Sequence, residues 1–253
     1  MLQEPFAIGK SFIHQLDPRA RIAAACVYSI VVAVSRDFTV LLIAGAISIT
    51  WVILAKLPVG QVIKRVLIVN TFILLLWIVL PLTFRGPAAN LIGPLRVYHA
   101  GIVIAAQITL KSNAILLALI ALIATMTFST LGYALSRMPI PDKFVHLLLM
   151  TYRYIFVIEQ EYQRLIRAVQ IRGFRPRTNM HTYKTYAYII GMLFVRSSLR
   201  ADRVYKAMLC RGFKNKFYCL QEFSAGCKEW IFITATGIFT GMLAYLEWLR
   251  AVY

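Results

Sequence analysis

The chain repeats one short segment, first as Arg164-Leu-Ile-Arg-Ala-Val-Gln-Ile-Arg-Gly-Phe174 and then as Arg203-Val-Tyr-Lys-Ala-Met-Leu-Cys-Arg-Gly-Phe213. Five of the eleven positions are identical and a sixth pairs Arg with Lys, at an offset of 39 residues. A basic last turn followed by glycine and an aromatic residue is a common ending of an α-helix. A capping requirement alone would not fix the same alanine ahead of the arginine in both copies. The repeat therefore predicts two equivalent helix ends, received by two copies of one partner.

The residues before each copy have the period of a long amphipathic helix. Apolar or small residues recur at alternating steps of four and three over residues 144–169, which predicts a helix of about eight turns ending at Gly173. A second apolar row lies within residues 183–211, and Gly212 follows it. Glycine often ends a helix because it adopts the left-handed backbone that this cap requires. We therefore predict two long helices with similar endings.

The composition of the whole chain is that of a membrane protein. Of the 253 residues, 60% are hydrophobic and 15% are charged, and the mean hydropathy is +0.69. Soluble domains have about half apolar and a quarter charged residues, so the composition disfavours a soluble enzyme. The 28 Lys and Arg against 10 Asp and Glu give a net charge of +18, but basic nucleic-acid-binding proteins are not this apolar. We predict an integral membrane protein of the all-α class that binds no nucleic acid.

Five apolar segments approach the length needed to cross a bilayer as a helix, which is about 20 residues. The first reaches that length only if the charged ends of Arg19 and Arg21 extend to the membrane surface. Lys111, Ser112 and Asn113 interrupt the fourth apolar stretch, which predicts a short membrane-level helix followed by one full span. A Gly- and Pro-rich loop containing Arg85, Gly86, Pro87, Gly93 and Pro94 follows the third span. The predicted spans are 22–35, 38–55, 66–82, 113–131 and 230–248.

The distribution of charge predicts the domains and their orientation. Residues 132–228 hold 17 of the 28 basic residues and 5 of the 10 acidic residues, which is +12 of the net +18. Basic segments stay in the cytoplasm, and the start of the chain lacks the apolar core of a cleaved signal peptide. We predict a membrane domain at 1–131 with a cytoplasmic N-terminal lead and four spans. A cytoplasmic region of long helices follows at 132–228, and a C-terminal transmembrane helix at 229–253.

With these two helix ends, the chain resembles the transmembrane T component of energy-coupling factor (ECF) transporters. These are a branch of the ABC transporters that imports vitamins and transition metals. The family has Ala-Arg-Gly-type motifs at the ends of two cytoplasmic coupling helices. They correspond here to Ile171-Arg172-Gly173 and Cys210-Arg211-Gly212, so both alanines of the common form are replaced. Residues 9–19 resemble the family's lead into the first span, and residues 196–213 are most similar to the cobalt and nickel branch, the CbiQ type.

The resemblance implies a non-enzymatic subunit that passes ATPase motion to a substrate-binding S component. The implied substrate is cobalt or nickel ions, in connection with cobalamin biosynthesis. The implied partners are two ATPase subunits (identical or different) and the S component in the membrane, with a small accessory membrane subunit as a further candidate. ATP is bound by the partners, and no cofactor or metal is expected in this chain. The residues implied to dock on the ATPases are Ala168, Ile171, Arg172, Gly173, Phe174, Ala207, Cys210, Arg211, Gly212 and Phe213.

The implied location is the cell membrane of a bacterium or archaeon, crossed several times, with a cytoplasmic N-terminus.

Residues with catalytic or metal-binding chemistry are scattered through the sequence. No two of the four histidines have ligand spacing, no CxxC pair occurs, and neither Ser197-Ser198 nor Ser129-Thr130 has a paired base. A Gly-rich phosphate loop is also missing from the sequence. The alternatives are a membrane-embedded enzyme or lipid-interacting protein with a basic cytoplasmic surface, an ordinary ABC permease, and a T component for a vitamin. The histidines are His14, His99, His146 and His181.

Overall fold

The structure is a computed structural model, and it describes residues 6, 9, 11–83, 88–92, 95–213 and 227–252. The prediction of an all-α polytopic membrane protein is confirmed, and the described residues add one short antiparallel hairpin to the helices. The glycines and prolines predicted to form the loop after the third span lie outside the described residues. The helices are α1 (Phe12–Gln15), α2 (Pro18–Val34), α3 (Phe38–Leu54), α4 (Val59–Thr83), α5 (His99–Leu122), α6 (Phe128–Ser136), α7 (Asp142–Ile171), α8 (Met180–Cys210) and α9 (Cys227–Val252), and the strands are β1 (Ala88–Ile92) and β2 (Leu95–Tyr98).

The chain divides into two compact units. One consists of residues 3–131 and 222–253 and is called the membrane unit below; the other consists mainly of residues 132–221 and is called the coupling unit. The predicted division at residues 131 and 228 concerns placement in the membrane, and it stays a prediction.

Helix α5 is at the centre of the membrane unit, where it packs against α2, α3 and α4. Ala114, Ala118 and Ala121 on α5 are almost completely buried, and such small side chains let neighbouring helices approach closely. Beside them, the Tyr28 hydroxyl donates a hydrogen bond to the Ala44 carbonyl at 2.7 Å, which joins α2 to α3. The core of this unit therefore depends on small residues and on polar groups paired inside the bundle.

Three helices of the described chain are long and apolar enough to cross a membrane: residues 59–83, 100–122 and 229–249. They contain the whole of the third and fifth predicted spans and residues 113–122 of the fourth, which was predicted to continue to residue 131. Helix α3 is apolar but has 17 residues, and α2 has the same length, so their crossing of the bilayer stays a prediction. Many outward side chains of α4 are large and apolar, with Phe72 69% exposed, as expected of a surface that faces lipid.

The predicted break before the fourth span is wrong. Helix α5 is continuous through Lys111 and ends at Leu122, and residues 128–136 form the separate helix α6. The Lys111 ammonium donates a hydrogen bond to the Ala33 carbonyl at 2.9 Å, in the last turn of α2. Carbonyls in a last helical turn have no partner within their own helix. The charged side chain is thus satisfied by a neighbouring helix, and α5 does not need to break.

The side chain of Arg21 is buried in the protein, whereas the length of the first predicted span required it to extend to the membrane surface. The residue is 2% exposed, and its Nη1 donates a hydrogen bond to the Thr125 hydroxyl at 3.2 Å, in the turn after α5. Helix α2 begins at Pro18, earlier than predicted, because the Asp17 side chain caps it by accepting a hydrogen bond from the Arg19 backbone N–H at 2.9 Å. The start of α2 is therefore fixed inside the membrane unit.

Candidate functional site

The coupling unit contains two long helices that run antiparallel. The two helices predicted from periodicity are confirmed as α7, with 30 residues, and α8, with 31 residues, each about 45 Å long at 1.5 Å per residue. Their direction follows from three contacts: Phe213 lies near His146, Glu161 binds Arg196, and Phe174 lies near Tyr186. The two glycine stops are consequently at opposite ends of the helix pair.

The first helix end has the hydrogen bonds of a Schellman motif. Gly173 has a φ of +84°, which places it in the left-handed region that glycine adopts without steric cost. Its N–H donates to the Gln170 carbonyl at 2.9 Å, and the Phe174 N–H donates to the Val169 carbonyl at 3.2 Å. These two bonds satisfy carbonyls that would otherwise lack partners at the end of α7.

The second helix end repeats this geometry. Gly212 has a φ of +76°, its N–H donates to the Leu209 carbonyl at 2.9 Å, and the Phe213 N–H donates to the Met208 carbonyl at 3.1 Å. The arginine before each glycine occupies the same backbone conformation, with φ and ψ of −77° and 10° at Arg172 and −90° and 9° at Arg211. The predicted equivalence of the two ends is confirmed for the backbone.

Most of the residues predicted to dock on the ATPases are on the surface of the coupling unit. Ile171 is 87% exposed, and Phe174 and Phe213 are partly buried. Within the described part of the chain, neither Arg172 nor Arg211 forms an ion pair, so each guanidinium keeps its donors for a partner. The exposed members of the set are Ala168, Ile171, Arg172, Gly173, Ala207, Cys210, Arg211 and Gly212. Docking on an ATPase stays a prediction.

Each phenylalanine packs against a histidine at the start of the opposite helix. The Phe213 ring lies 5.5 Å from the His146 ring, measured between centroids, and the Phe174 ring lies 6.1 Å from the His181 ring. Phe174 also makes an edge contact with Tyr186 at 5.9 Å. Burial lowers the pKa of His146, which favours its neutral form. Two of the four histidines thus have packing roles at the two helix ends.

Between α7 and α8 lies a groove of about 500 Å³. Its lining is mainly apolar, and the charged residues Glu161, Arg196 and Arg200 also contribute to it. The groove reaches the second helix end, because Phe213 is one of its lining residues. The apolar part of the lining includes Met150, Tyr154, Ile158, Val204, Met208 and Phe213.

Glu161 is the residue of this site that sequence reasoning missed. It is 8% exposed, and both of its carboxylate oxygens are used. Oε1 accepts a hydrogen bond from Arg196, whereas Oε2 lies 3.5 Å from Arg164 and 3.7 Å from Arg200. The Arg196 hydrogen bond, with the charges of all three arginines, lowers the pKa of Glu161 despite its burial. The available signal was two arginines four apart on α8 and, on α7, an acidic residue three positions after Ile158 and so beside the apolar row.

Among the described residues, no three His, Cys, Asp or Glu side chains come together as metal ligands. His14 has its ring nitrogens 2.6 Å from the Ser11 hydroxyl and 3.0 Å from the Phe6 carbonyl, so its polar atoms are used within the membrane unit. The expectation that this chain holds no metal stays a prediction.

The chain is similar to known proteins over most of its length. The family profile described as CbiQ, cobalt transport protein, matches residues 9–219. The energy-coupling factor transporter transmembrane protein EcfT of Bacillus subtilis is 24% identical over 229 residues, covering 85% of this chain and 85% of that protein. EcfT of Acidaminococcus fermentans is 26% identical over 220 residues, or 81% of each chain. An uncharacterized protein of Methanocaldococcus jannaschii is 21% identical over 246 residues, or 93% of this chain and 82% of its own length.

Proposed function

Because the chain belongs to the CbiQ family of cobalt transport proteins, we propose that it couples ATP hydrolysis to substrate import in an ECF transporter. It is the non-catalytic transmembrane T component, which sets aside the alternative of a membrane-embedded enzyme. In this proposal two ATPase subunits hold the ends of α7 and α8, and the two helices pass ATPase motion to a substrate-binding S component in the membrane.

The observation that carries this proposal is the pair of matching, exposed helix ends at opposite ends of two long helices. Each end offers an arginine without an ion pair among the described residues and a glycine that turns the chain away. The resemblance implies two ATPase subunits, and two equivalent ends far apart fit such a pair better than one central loop would. The single coupling loop of an ordinary ABC permease would need no such repeat.

Arginine is suited to this contact because of its geometry. Its planar guanidinium binds a carboxylate through two parallel hydrogen bonds, which fixes direction as well as distance. A lysine would act as a point charge on a flexible stem and transmit displacement less directly. We therefore assign acidic groups of the two ATPases as the partners of Arg172 and Arg211.

Co-purification tests the docking. The variant Arg172→Ala/Arg211→Ala should recover little ATPase when the T component is purified in detergent, since both charged contacts are gone. Arg153→Ala is the matched control: it removes an exposed arginine from the surface of α7, away from both ends. Normal ATPase recovery with the double variant would refute the docking proposal.

We propose cobalt or nickel as the transported substrate. The family description and the similarity of residues 196–213 to the metal branch support a metal. Uptake of radioactive cobalt and nickel by cells that express the complete transporter tests this. Uptake of a vitamin without uptake of either metal would instead place the chain in a vitamin transporter.

We also propose that the coupling unit and the N-terminus face the cytoplasm. The support is the excess of basic residues in 132–228, which follows the rule that positive charge stays inside. In intact cells, an impermeant thiol reagent should fail to label a cysteine placed at Arg177 and should label one placed after Arg250. Strong labelling at Arg177 from outside would reverse the orientation.

A further inference from the structure

We propose that Glu161 is a positioning residue that braces α7 against α8, so that the two docking ends move as one body. The inference rests on the proposed function, because it concerns how motion passes between ends that the ATPases hold. Nothing in the repeat itself requires such a brace, since each helix end is complete without it.

The location of Glu161 suits this role. It lies toward the middle of α7, and its partners Arg196 and Arg200 lie one helical turn apart toward the middle of α8. Each carboxylate oxygen has an arginine of α8 within ion-pair distance, and Oε2 also lies 3.5 Å from Arg164 of α7 itself. The carboxylate therefore joins the helices at two points of α8, which restrains rotation as well as separation.

The other features between α7 and α8 show why the contact of Glu161 with the arginines matters for the pairing of the two helices. Between the middle of the pair and its second end, the groove of about 500 Å³ lies between the helices and is lined by residues of both. Large apolar residues near the centre remain open, with Ile155 42% and Leu199 56% exposed. At the two ends, the described contacts between α7 and α8 include ring pairs, which orient a side chain but bind weakly compared with a charged hydrogen bond.

The charges of the cluster hold α7 and α8 together at Glu161. One carboxylate faces three guanidinium groups, and the Arg196 hydrogen bond, with the charges of the three arginines, lowers the pKa of Glu161 and so favours its ionised form. Removing the carboxylate leaves three arginines in mutual repulsion at the centre of the helix pair. The predicted result is separation of the helices there, with the helix ends themselves intact.

Distance measurement on the full T component tests the brace without any partner. Spin labels at Gln163→Cys and Ser198→Cys report the spacing of α7 and α8 at the cluster; both sites are exposed. The native cysteines are first replaced, Cys210 by alanine. Electron–electron double resonance should give a narrow distribution that becomes broader and longer in Glu161→Gln. The control Glu159→Gln removes an exposed carboxylate nearby on α7 that forms no ion pair with described residues, and it should change nothing.

A second measurement separates a positioning role from a merely structural one. In the reconstituted transporter, Glu161→Gln should retain ATPase binding and hydrolysis while substrate import per ATP hydrolysed falls roughly tenfold, within the usual range of coupling between sites. Glu161→Asp keeps the charge and should restore part of the import. An unchanged distance distribution in Glu161→Gln, or unchanged import per ATP, would overturn the proposal.

Two further variants cover the case in which Glu161→Gln does not accumulate in the membrane. Arg196→Gln and Arg200→Gln each leave the carboxylate with two arginines, and Arg196→Gln should broaden the distance distribution more because it removes the hydrogen bond. Equal, wild-type distributions in both would also overturn the brace. The distance result is independent of docking, so failure of the ATPase co-purification test leaves it interpretable by itself.

Discussion

The two ends of the α7–α8 pair have the same backbone but different neighbours. Phe174 packs against His181 and Tyr186, which follow it closely in the chain, whereas Phe213 packs against His146 at the start of the other long helix. The first end is therefore completed by its own turn and the next helix. At the second end the hydrogen bonds are local, but the Phe213 ring meets His146 only when α7 and α8 are paired, and the Glu161 cluster contributes to that pairing.

This difference teaches that a repeated motif does not ensure a repeated environment. The hydrogen bonds that end each helix are local and identical, so both ends should respond alike to changes in the backbone. Changes in the spacing of the two helices should instead affect the Phe213 end more than the Phe174 end. The four predictions below test this distinction.

The largest effect is expected from the two arginines. Arg172→Ala and Arg211→Ala should each lower substrate uptake by cells in part, and the double variant should abolish it, because each charged contact contributes about 1.5–3 kcal/mol. If the ends are equivalent in function, the two single variants will have similar uptake after normalisation to membrane level. Abolition by one single variant and no effect of the other would show that only one end transmits motion.

Valine in place of either glycine should give the next largest effect. A β-branched residue at φ values of +84° and +76° is strained by about 1–3 kcal/mol, although nothing lies within 4 Å of the added Cβ at either position. Gly173→Val and Gly212→Val should therefore weaken ATPase recovery to a similar degree. Asparagine tolerates the left-handed region, so Gly173→Asn and Gly212→Asn are the controls and should keep most of the recovery. Loss of recovery with asparagine as well would point to contact with the glycine itself.

The two phenylalanines should distinguish the ends. Phe213→Ala removes a ring pair worth about 1 kcal/mol and should increase hydrogen exchange at the start of α7, around His146. Phe174→Ala should instead increase exchange at the start of α8, around His181 and Tyr186. Mass spectrometry of the purified protein resolves the two regions. Equal changes at both helix starts in either variant would mean that the helix pair opens as a whole.

The smallest effect is a pH dependence confined to the second end. Burial lowers the pKa of His146 in the folded chain. At pH values below the ordinary histidine pKa of about 6.5, the unfolded chain therefore binds more protons than the folded chain. The contribution of the neutral, buried His146 to the free energy of unfolding is complete above that pH and decreases as the pH falls below it. Hydrogen exchange around residues 208–213 should thus rise between pH 7.5 and 5.5, after correction for intrinsic rates, while exchange around 169–174 stays constant. His146→Gln should remove the difference; a pH response that persists in this variant would assign it to another group.

Much of the candidate site could be predicted from the sequence because its chemistry is local. A helix ending depends on the φ of one glycine and on hydrogen bonds to carbonyls three to five residues earlier, so the repeated Arg-Gly-Phe was sufficient. The two long helices followed from an apolar period that continues for many turns. The Glu161 cluster could not be found in this way. In the sequence its three arginines look like ordinary surface residues, and the cluster forms only when α8 lies beside α7.

The same distinction holds for the membrane unit. Composition alone determined that the chain is a helical membrane protein, since an apolar, strongly basic sequence has few other stable arrangements. Lys111 and Arg21 were misplaced because a charged residue in an apolar stretch either breaks the helix, extends to the surface or finds a partner. Only the tertiary structure decides among these, by supplying the Ala33 carbonyl and the Thr125 hydroxyl from distant parts of the chain. The sequence determines hydrogen bonds and periodicities that close within a few residues, and packing determines where a buried charge is satisfied.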